Sequence, residues 1–412
     1  MFESLELKRL RVWSRCNLFT VLRSLFNGYS PPQNIVRIPI LIIFILTFPI
    51  LVPVESAWCD TGNAPNVRLL LDDNLTRAVV SGSSLYIEKQ DNAGWKPVIS
   101  RIRMVAFKPV SGGVKLDGSD LVAPAFRIEP VNGMLRYSGR PHRGYLTILA
   151  NGGRLMVVSH MALESYLVGV VNGEVDSSWP MDALKAQVVA ARSYALYQVN
   201  RKALFYDLKT DVSDQVYAGV NSEDDRADRA VKLTRGQVLY KDGDLIQAFF
   251  HSSCGGSTTS AREVWGKAQP AQEGVYCGEC GEAPYSRWNL SPQIGELAKA
   301  VKNLYPHIEG VRSIGIHRRT SDGRVQTLFV ETGKGRVLID AGDFRKEMGY
   351  RRLPSTRFSL GTSDGRIVLT GEGYGHGVGL CQWGARGSAL RGMDYKQILR
   401  KYYVGTQIRR AY

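Results

Sequence analysis

Residues 161–198 read MALESYLVGVVNGEVDSSWPMDALKAQVVAARSYALYQ, which predicts a helix, a turn carrying a carboxylate, and a second helix. Pro180 suits the first position of the second helix, where its missing N–H costs nothing, and Asp182 complements the positive end of that helix's dipole. Leu184, Val188, Ala191 and Ala195 recur at helical spacing and form an apolar stripe small enough for close packing. Lys185 and Arg192 lie nearly two turns apart and so project from one side of the same helix. Glu174, behind Gly173, falls in the connection that must turn before Pro180, where a carboxylate can face a groove. The plain alternative is a solvated acid beside two solvated bases.

Further along, LIQAFFHSSCGGST and VYCGEC place His251, Cys254, Cys277 and Cys280 in a second constellation. Two pairs of two-residue spacing, His251 to Cys254 and Cys277 to Cys280, come close to tetrahedral zinc spacing. A disulfide would use the same sulfurs if the chain is exported, so zinc and disulfide both stand for the subsite at 251–280. A site filled by four protein ligands would be structural, since no position is left to activate water. Near the C-terminus GEGYGHGVGLCQWGARGSA, residues 371–389, is rich in glycines that permit backbone conformations closed to other residues and can bring backbone close to a ligand. It lacks the Lys-Ser/Thr and the βαβ context of a phosphate loop, so no nucleotide or organic cofactor is expected. Neither a Gly-x-Ser-x-Gly elbow nor a His-Glu-x-x-His helix is present.

These stretches resemble the stage II sporulation protein D (SpoIID) family, which includes the amidase enhancers (LytB). The family pattern Leu-Glu-x-Tyr-Leu-x-Gly-Val-Val-x-Gly-Glu, then Ala-Leu-Lys-Ala-Gln-x-x-Ala-Ala-Arg-x-Tyr-Ala, is matched from Leu163 to Glu174 and from Ala183 to Ala195. Its C-terminal motif, Gly-x-Gly-x-Gly-His-Gly-Val-Gly-x-x-Gln-x-Gly-Ala, is matched from Gly371 to Ala385, with His376 and Gln382 at the two polar positions. The segments 214–219 and 230–239 continue the pattern, so the resemblance runs over about residues 160–405.

What the resemblance implies is a peptidoglycan lytic transglycosylase, cleaving the MurNAc-β-1,4-GlcNAc bond of glycan strands and leaving 1,6-anhydromuramyl ends. Glu174 would be the catalytic acid and base, and Lys185, Arg192, His376 and Gln382 would bind substrate. An ordinary glycosidase needs two carboxylates across the bond, whereas internal attack by the muramyl 6-hydroxyl needs one. Cations beside Glu174 would lower the pKa that a general acid needs raised, so Lys185 and Arg192 are expected to point at the sugar instead. Asp176 and Asp182 are the nearest candidates for a second carboxylate. The alternative is a non-catalytic glycan-binding protein that enhances a cell-wall amidase, which would then be its partner. Some clostridial members of the family hold a metal at the His-Ser-x-x-x-Gly-Gly segment, which favours zinc slightly.

A formal charge of +15 points to an anionic partner: a wall polymer, a membrane surface or nucleic acid. Dispersed basic residues and the absence of zinc-finger or RNA-binding signatures argue against nucleic acid. Residues 1–58 combine scattered basic residues with the uncharged run 38–54, broken by Pro39, Pro49 and Pro53, and read as an export signal or anchor, the chain's one membrane contact. The expected location is therefore the cell envelope. Residues 66–158 alternate short apolar runs with Asp-Asn, Ser-Gly, Asn-Gly and Gly-Gly turns and predict a strand-rich module. Residues 159–412 read as a mixed helix and strand catalytic domain, which makes the whole an α+β chain.

Overall fold

The structure is a computed structural model, and it describes residues 64–211, 214–363 and 366–412. The export segment expected at 1–58 lies outside the described residues. The fold is a mixed α/β one, rich in strands. Its first part runs β1 (Asn66–Leu75), β2 (Ala78–Asp91), β3 (Gly94–Val110), β4 (Gly113–Leu116), β5 (Val122–Ala123), β6 (Ala125–Pro130), β7 (Leu135–Tyr137), β8 (Arg140–His142), β9 (Tyr145–Asn151) and β10 (Arg154–Ala162). The helical pair follows at once, α1 (Leu163–Glu174) and α2 (Met181–Asn200), then β11 (Leu208–Lys209). Next come α3 (Asp225–Leu233), β12 (Gln237–Lys241), β13 (Asp244–Leu245), β14 (Phe250–His251) and α4 (Ala261–Trp265). A further stretch holds β15 (Trp288–Leu290), α5 (Ile294–Leu304), β16 (Ser313–Arg319), β17 (Val325–Thr332), β18 (Gly335–Asp340), α6 (Ala341–Met348), β19 (Phe358–Ser363) and β20 (Arg366–Gly371). The chain closes on β21 (Leu380–Cys381), α7 (Gln382–Leu390), α8 (Tyr395–Tyr402) and β22 (Gln407–Arg410).

Strands β1 to β10 form one large sheet of order β11-β1-β10-β9-β6-β2-β3-β4-β5, with β7 and β8 attached through β2. Alternation of side chains buries Val80, Ile87, Phe107, Phe126, Ile148 and Val157 in a core of its own. The sheet does not stop where the turn signals thin out at 158, because that position lies inside β10 and β11 adds to the far edge in parallel with β1. Val67, Leu69 and Met161, from β1 and β10, join Tyr166, Leu167, Leu184, Val188 and Tyr194 of the helical pair in a second core. The sheet thus serves as the floor on which α1 and α2 are laid.

Helix α2 carries the predicted stripe, but it is buried on nearly every side: from Ala183 to Leu196 only Lys185 retains partial exposure. Small residues make this possible, since α1, α3, α7, α8 and β12 all pack against it. A third core gathers Ala186, Val189 and Ala190 of α2 with the cysteines, Ile398, Leu399 and Tyr402. A fourth, built on Leu297, Val301, Leu328, Val330, Phe344 and Leu369, belongs to the stretch from β15 to β20.

Candidate active site

Glu174 is the last residue of α1 rather than part of the turn after it. Two glycines of the helix explain its surroundings. A Cβ on Gly169 would come within 2.5 Å of the Tyr217 ring, and one on Gly173 within 2.3 Å of the Val216 carbonyl oxygen. Only a bare helix face lets the segment 214–218 lie this close. The segment is pinned by Gln215, buried, whose Oε1 accepts from Tyr166 Oη at 2.9 Å and whose Nε2 donates to the Ala191 carbonyl at 3.2 Å. Val216 N–H then donates to Glu174 Oε1 at 2.7 Å, and Gln382 Nε2 donates to Oε2 at 3.2 Å.

Burial raises the pKa of Glu174, against the lowering effect of the Val216 and Gln382 hydrogen bonds. The C-terminal end of α1 works in the same direction as burial, because its unpaired carbonyls disfavour an anion. As a residue Glu174 keeps partial exposure at the end of its helix. Asp176 is exposed, accepts from Ser178 N–H at 2.8 Å and is held below the usual carboxylate range by that contact. Asp182 is occupied by Lys185 Nζ at 3.4 Å and Tyr395 N–H at 3.3 Å.

Arg192 does not reach a groove, which corrects the expectation that it and Lys185 both point at substrate. It is fully buried and grips Glu164 through Nε at 3.0 Å and Nη2 at 2.8 Å. Its remaining N–H groups donate to Thr234 Oγ1 and to the carbonyls of Gln237 and Val231. A buried guanidinium with this many acceptors ties α1, α2, α3 and β12 together. Lys185, one and a half turns from the helix start, keeps partial exposure and lies 5.5 Å from the Tyr395 ring.

The glycine-rich stretch approaches protein backbone. Gly373, Gly375 and Gly379 adopt positive φ, and a Cβ there would collide with Ser253 O, His251 Cβ and Phe249 O respectively. Residues 374–381 therefore run against 249–254, with β21 parallel to β14 and Ser253 and Tyr374 exchanging backbone hydrogen bonds. His376 is locked into this arrangement: Nδ1 accepts from Val378 N–H at 3.0 Å and Nε2 donates to Phe250 O at 3.0 Å. Burial and the Arg345 and Arg324 charges push its pKa down to about 3, so it is neutral and holds the loop's shape. The loop delivers Gln382, the first residue of α7, to Glu174.

The second constellation forms, with one substitution. Cys254, Cys277, Cys280 and Cys381 are all buried and free of disulfides, and their sulfurs lie within 4.8 Å of one another. The fourth partner expected from spacing, His251, stands outside this group; its Nδ1 donates to Val378 O at 3.1 Å and burial holds it neutral. Cys381 takes that place: the β14–β21 pairing sets it opposite His251, and Cys254 N–H donates to its sulfur at 3.3 Å. The Cys254–Cys280 separation of 3.6 Å is far from a disulfide bond but fits sulfurs about 2.3 Å from a shared tetrahedral ion. Hydrogen bonds aimed at sulfur complete the picture: Cys254 N–H and Gly384 N–H both donate to Cys381 Sγ at 3.3 Å, and Tyr402 Oη lies 3.1 Å from Cys277 Sγ. A Cβ on Gly384 would come within 2.1 Å of Tyr402 Oη and 2.4 Å of Cys277 Sγ, so a side chain there would displace the cluster. The four cysteines can hold a metal ion.

Sequence reasoning thus singles out Glu174 and Gln382, which the structure brings together, and misses Val216 and Cys381. Val216 contributes only its backbone N–H, which no side-chain pattern reveals. Cys381 was open to view inside the C-terminal motif, but it stands roughly 100 residues beyond Cys280, too far for a spacing rule.

With this geometry described, the chain can be set beside known proteins. Residues 151–240 match a family described as stage II sporulation protein, and residues 279–379 match a domain of unknown function. An uncharacterized protein of Brachyspira hyodysenteriae is 36% identical over 273 residues, covering 66% of this chain and 73% of that one. The stage II sporulation protein D of Bacillus subtilis is 28% identical over 273 residues, with 62% and 76% covered. The amidase enhancer of Bacillus subtilis is 28% identical over 291 residues, covering 59% of this chain but only 40% of that longer protein.

Proposed function

This chain belongs to the stage II sporulation protein D family, and from that premise we propose that it is an exported lytic transglycosylase of peptidoglycan with Glu174 as its one catalytic carboxylate. The observation that carries the reading is the state of that residue. Glu174 has its pKa raised by burial, receives two neutral donors and remains partly accessible. A protonated Glu174 gives its proton to the oxygen leaving the muramic acid anomeric carbon. The resulting carboxylate then accepts the proton of the muramyl 6-hydroxyl, whose oxygen closes the 1,6-anhydro ring, and the enzyme returns to its starting state. Water is not consumed, so no second carboxylate has to activate it. Asp176 and Asp182 are both engaged elsewhere, in keeping with that economy.

Gln382 and Val216 N–H hold the carboxyl group in one orientation for both transfers. Lys185, the partly exposed cation of α2, would exchange its partner Asp182 for the lactyl carboxylate of muramic acid. Zinc is the ion we assign to the four cysteines; it supplies structure alone, because four thiolates leave no open position. Mass analysis of purified glycan strands after digestion is the test. Ends of 1,6-anhydromuramic acid support the reading, and reducing ends would mean hydrolysis.

The relative named an amidase enhancer favours a second reading, a glycan-binding protein that stimulates a cell-wall amidase without cutting. Such a binder has no use for a carboxyl group with a raised pKa. Normal stimulation of an amidase by Glu174→Gln, with no cleavage by the wild-type protein, would establish it.

A further inference from the structure

On the far side of α8 from the cysteines, a cleft of about 560 Å³ opens between that helix and β22. Lys396 and Arg400 line it from the helix, four residues apart and so on one face, and Arg409 and Arg410 line it from the strand. All four are exposed, and no acidic residue lines the cleft. None of the four has a carboxylate ion-pair partner among the described residues, although the surface elsewhere is well supplied with such pairs, as Arg352 with Glu296 and Arg386 with Glu282 show.

The walls are built rather than frayed. Helix α8 starts on a capping box of Asp394 and Gln397, and β22 is zipped antiparallel to β12 from Gln237 to Tyr240. Arg409 is braced by Gln407 Oε1, 3.1 Å from its Nε, and by the Tyr240 ring at 5.7 Å. Lys396 lies 5.9 Å from the Tyr395 ring, whose hydroxyl donates to Gln237 Oε1 at the cleft wall. Successive residues of β22 alternate sides, so Arg410, opposite Gln237, shares the α8 side with Lys396 and Arg400 while Arg409 flanks it, and one carboxylate would leave much of the repulsion among these cations standing. A ligand bearing several closely spaced oxyanions would relieve it, and the planar forks of Arg400 and Arg410 match phosphate oxygens two at a time.

We propose that the α8–β22 cleft is a binding site for a ligand with closely spaced phosphates, separate from Glu174 and independent of its chemistry. Its role is to hold the protein on a phosphate-bearing component of the envelope. The probe is inorganic tripolyphosphate, titrated into the full-length protein by calorimetry at low and at raised salt. Saturable binding is expected, weaker at raised salt and roughly tenfold or more weaker in the R400E/R410E variant, whose circular dichroism should match the wild type. Equal affinity of the two proteins, or no saturable binding at low salt, overturns the proposal. The milder R400Q/R410Q pair decides the matter if the charge reversal perturbs folding. Vesicles of phosphatidylglycerol in phosphatidylcholine identify the source: stronger capture of the wild type than of the variant assigns a lipid headgroup. Equal capture, with the tripolyphosphate difference retained, assigns a soluble phosphate polymer.

Discussion

Helix α1 carries a glutamate near each end, and the two lead opposite lives. Glu164 sits in the first turn, where the helix dipole favours an anion, and it is clamped by Arg192, Gly236 N–H and Tyr412 Oη. Glu174 sits at the last residue, where the dipole disfavours an anion, and its donors are one backbone N–H and one amide. The first arrangement is a cross-brace among four elements. The second leaves a carboxyl group for which the proton is easy to keep, the condition a general acid requires. Residue type and burial are shared; position on the helix and the charge of the neighbour separate structure from chemistry.

The largest effect expected from this contrast is on cleavage. Glu174→Gln keeps the size and most of the hydrogen bonding but cannot donate the proton, so glycan cleavage should fall by about a hundredfold to ten-thousandfold while glycan binding survives. An unchanged rate would remove Glu174 from the chemistry. Next comes the other end of the helix. Arg192→Leu strands Glu164 in the interior and should cost about 3–5 kcal/mol in denaturant unfolding, with cleavage by the protein that remains folded nearly intact. The reverse result, normal stability with cleavage abolished, would restore Arg192 to the substrate. Cys381→Ser probes the support behind Gln382. Metal content should drop below one equivalent, and cleavage or metal affinity should fall roughly tenfold to a hundredfold. A wild-type protein without metal, whose thiols resist alkylation until reduced, would replace the ion with disulfides.

Smaller effects concern protons. Gln382→Leu removes a donor that favours the charged form of Glu174, so its pKa should rise further and the alkaline limb of the cleavage profile should move to higher pH. Movement to lower pH would mean that Gln382 acts otherwise. Glu174 also costs stability. Its folded pKa exceeds the unfolded one, so the folded state binds the extra proton and stability falls as pH rises from the unfolded carboxyl value through the folded one. At neutral pH Glu174→Gln should therefore raise the melting temperature slightly, and the gain should vanish in acid; a loss at neutral pH would contradict it.

The helical pair and the strand-rich first part were legible because periodicity and turn residues speak directly about local structure. The meeting of Glu174 with Gln382 was not: the motif marks Gln382 as a substrate-binding residue, and with 208 positions between them only the fold shows that it touches the carboxyl group. The misreading of Arg192 has a physical source. Spacing places two side chains on one helix face, but α2 is wrapped on all sides, so a face gives no information about access to solvent. His251 was preferred to Cys381 because local spacing outweighs a distant residue when topology is unknown. The glycines were read as a cradle for a ligand and turned out to be the means by which two strands of the same chain touch.

The cysteine cluster also fixes where the chain leaves the site and where it comes back. Cys280 is the third of the four cysteines and Cys381 the fourth; most of the stretch between them folds around its own core. Closing a loop of roughly 100 residues costs chain entropy that grows only with the logarithm of its length, each doubling adding about 0.6 kcal/mol. The part with its own core, from β15 to β20, can therefore lengthen or shorten at modest entropic expense, whereas residues 374–381, which lie against 249–254 and deliver Gln382 to Glu174, cannot. Between the third cysteine and the glycine-rich loop the chain thus carries an insert, β15 to β20, with a core of its own.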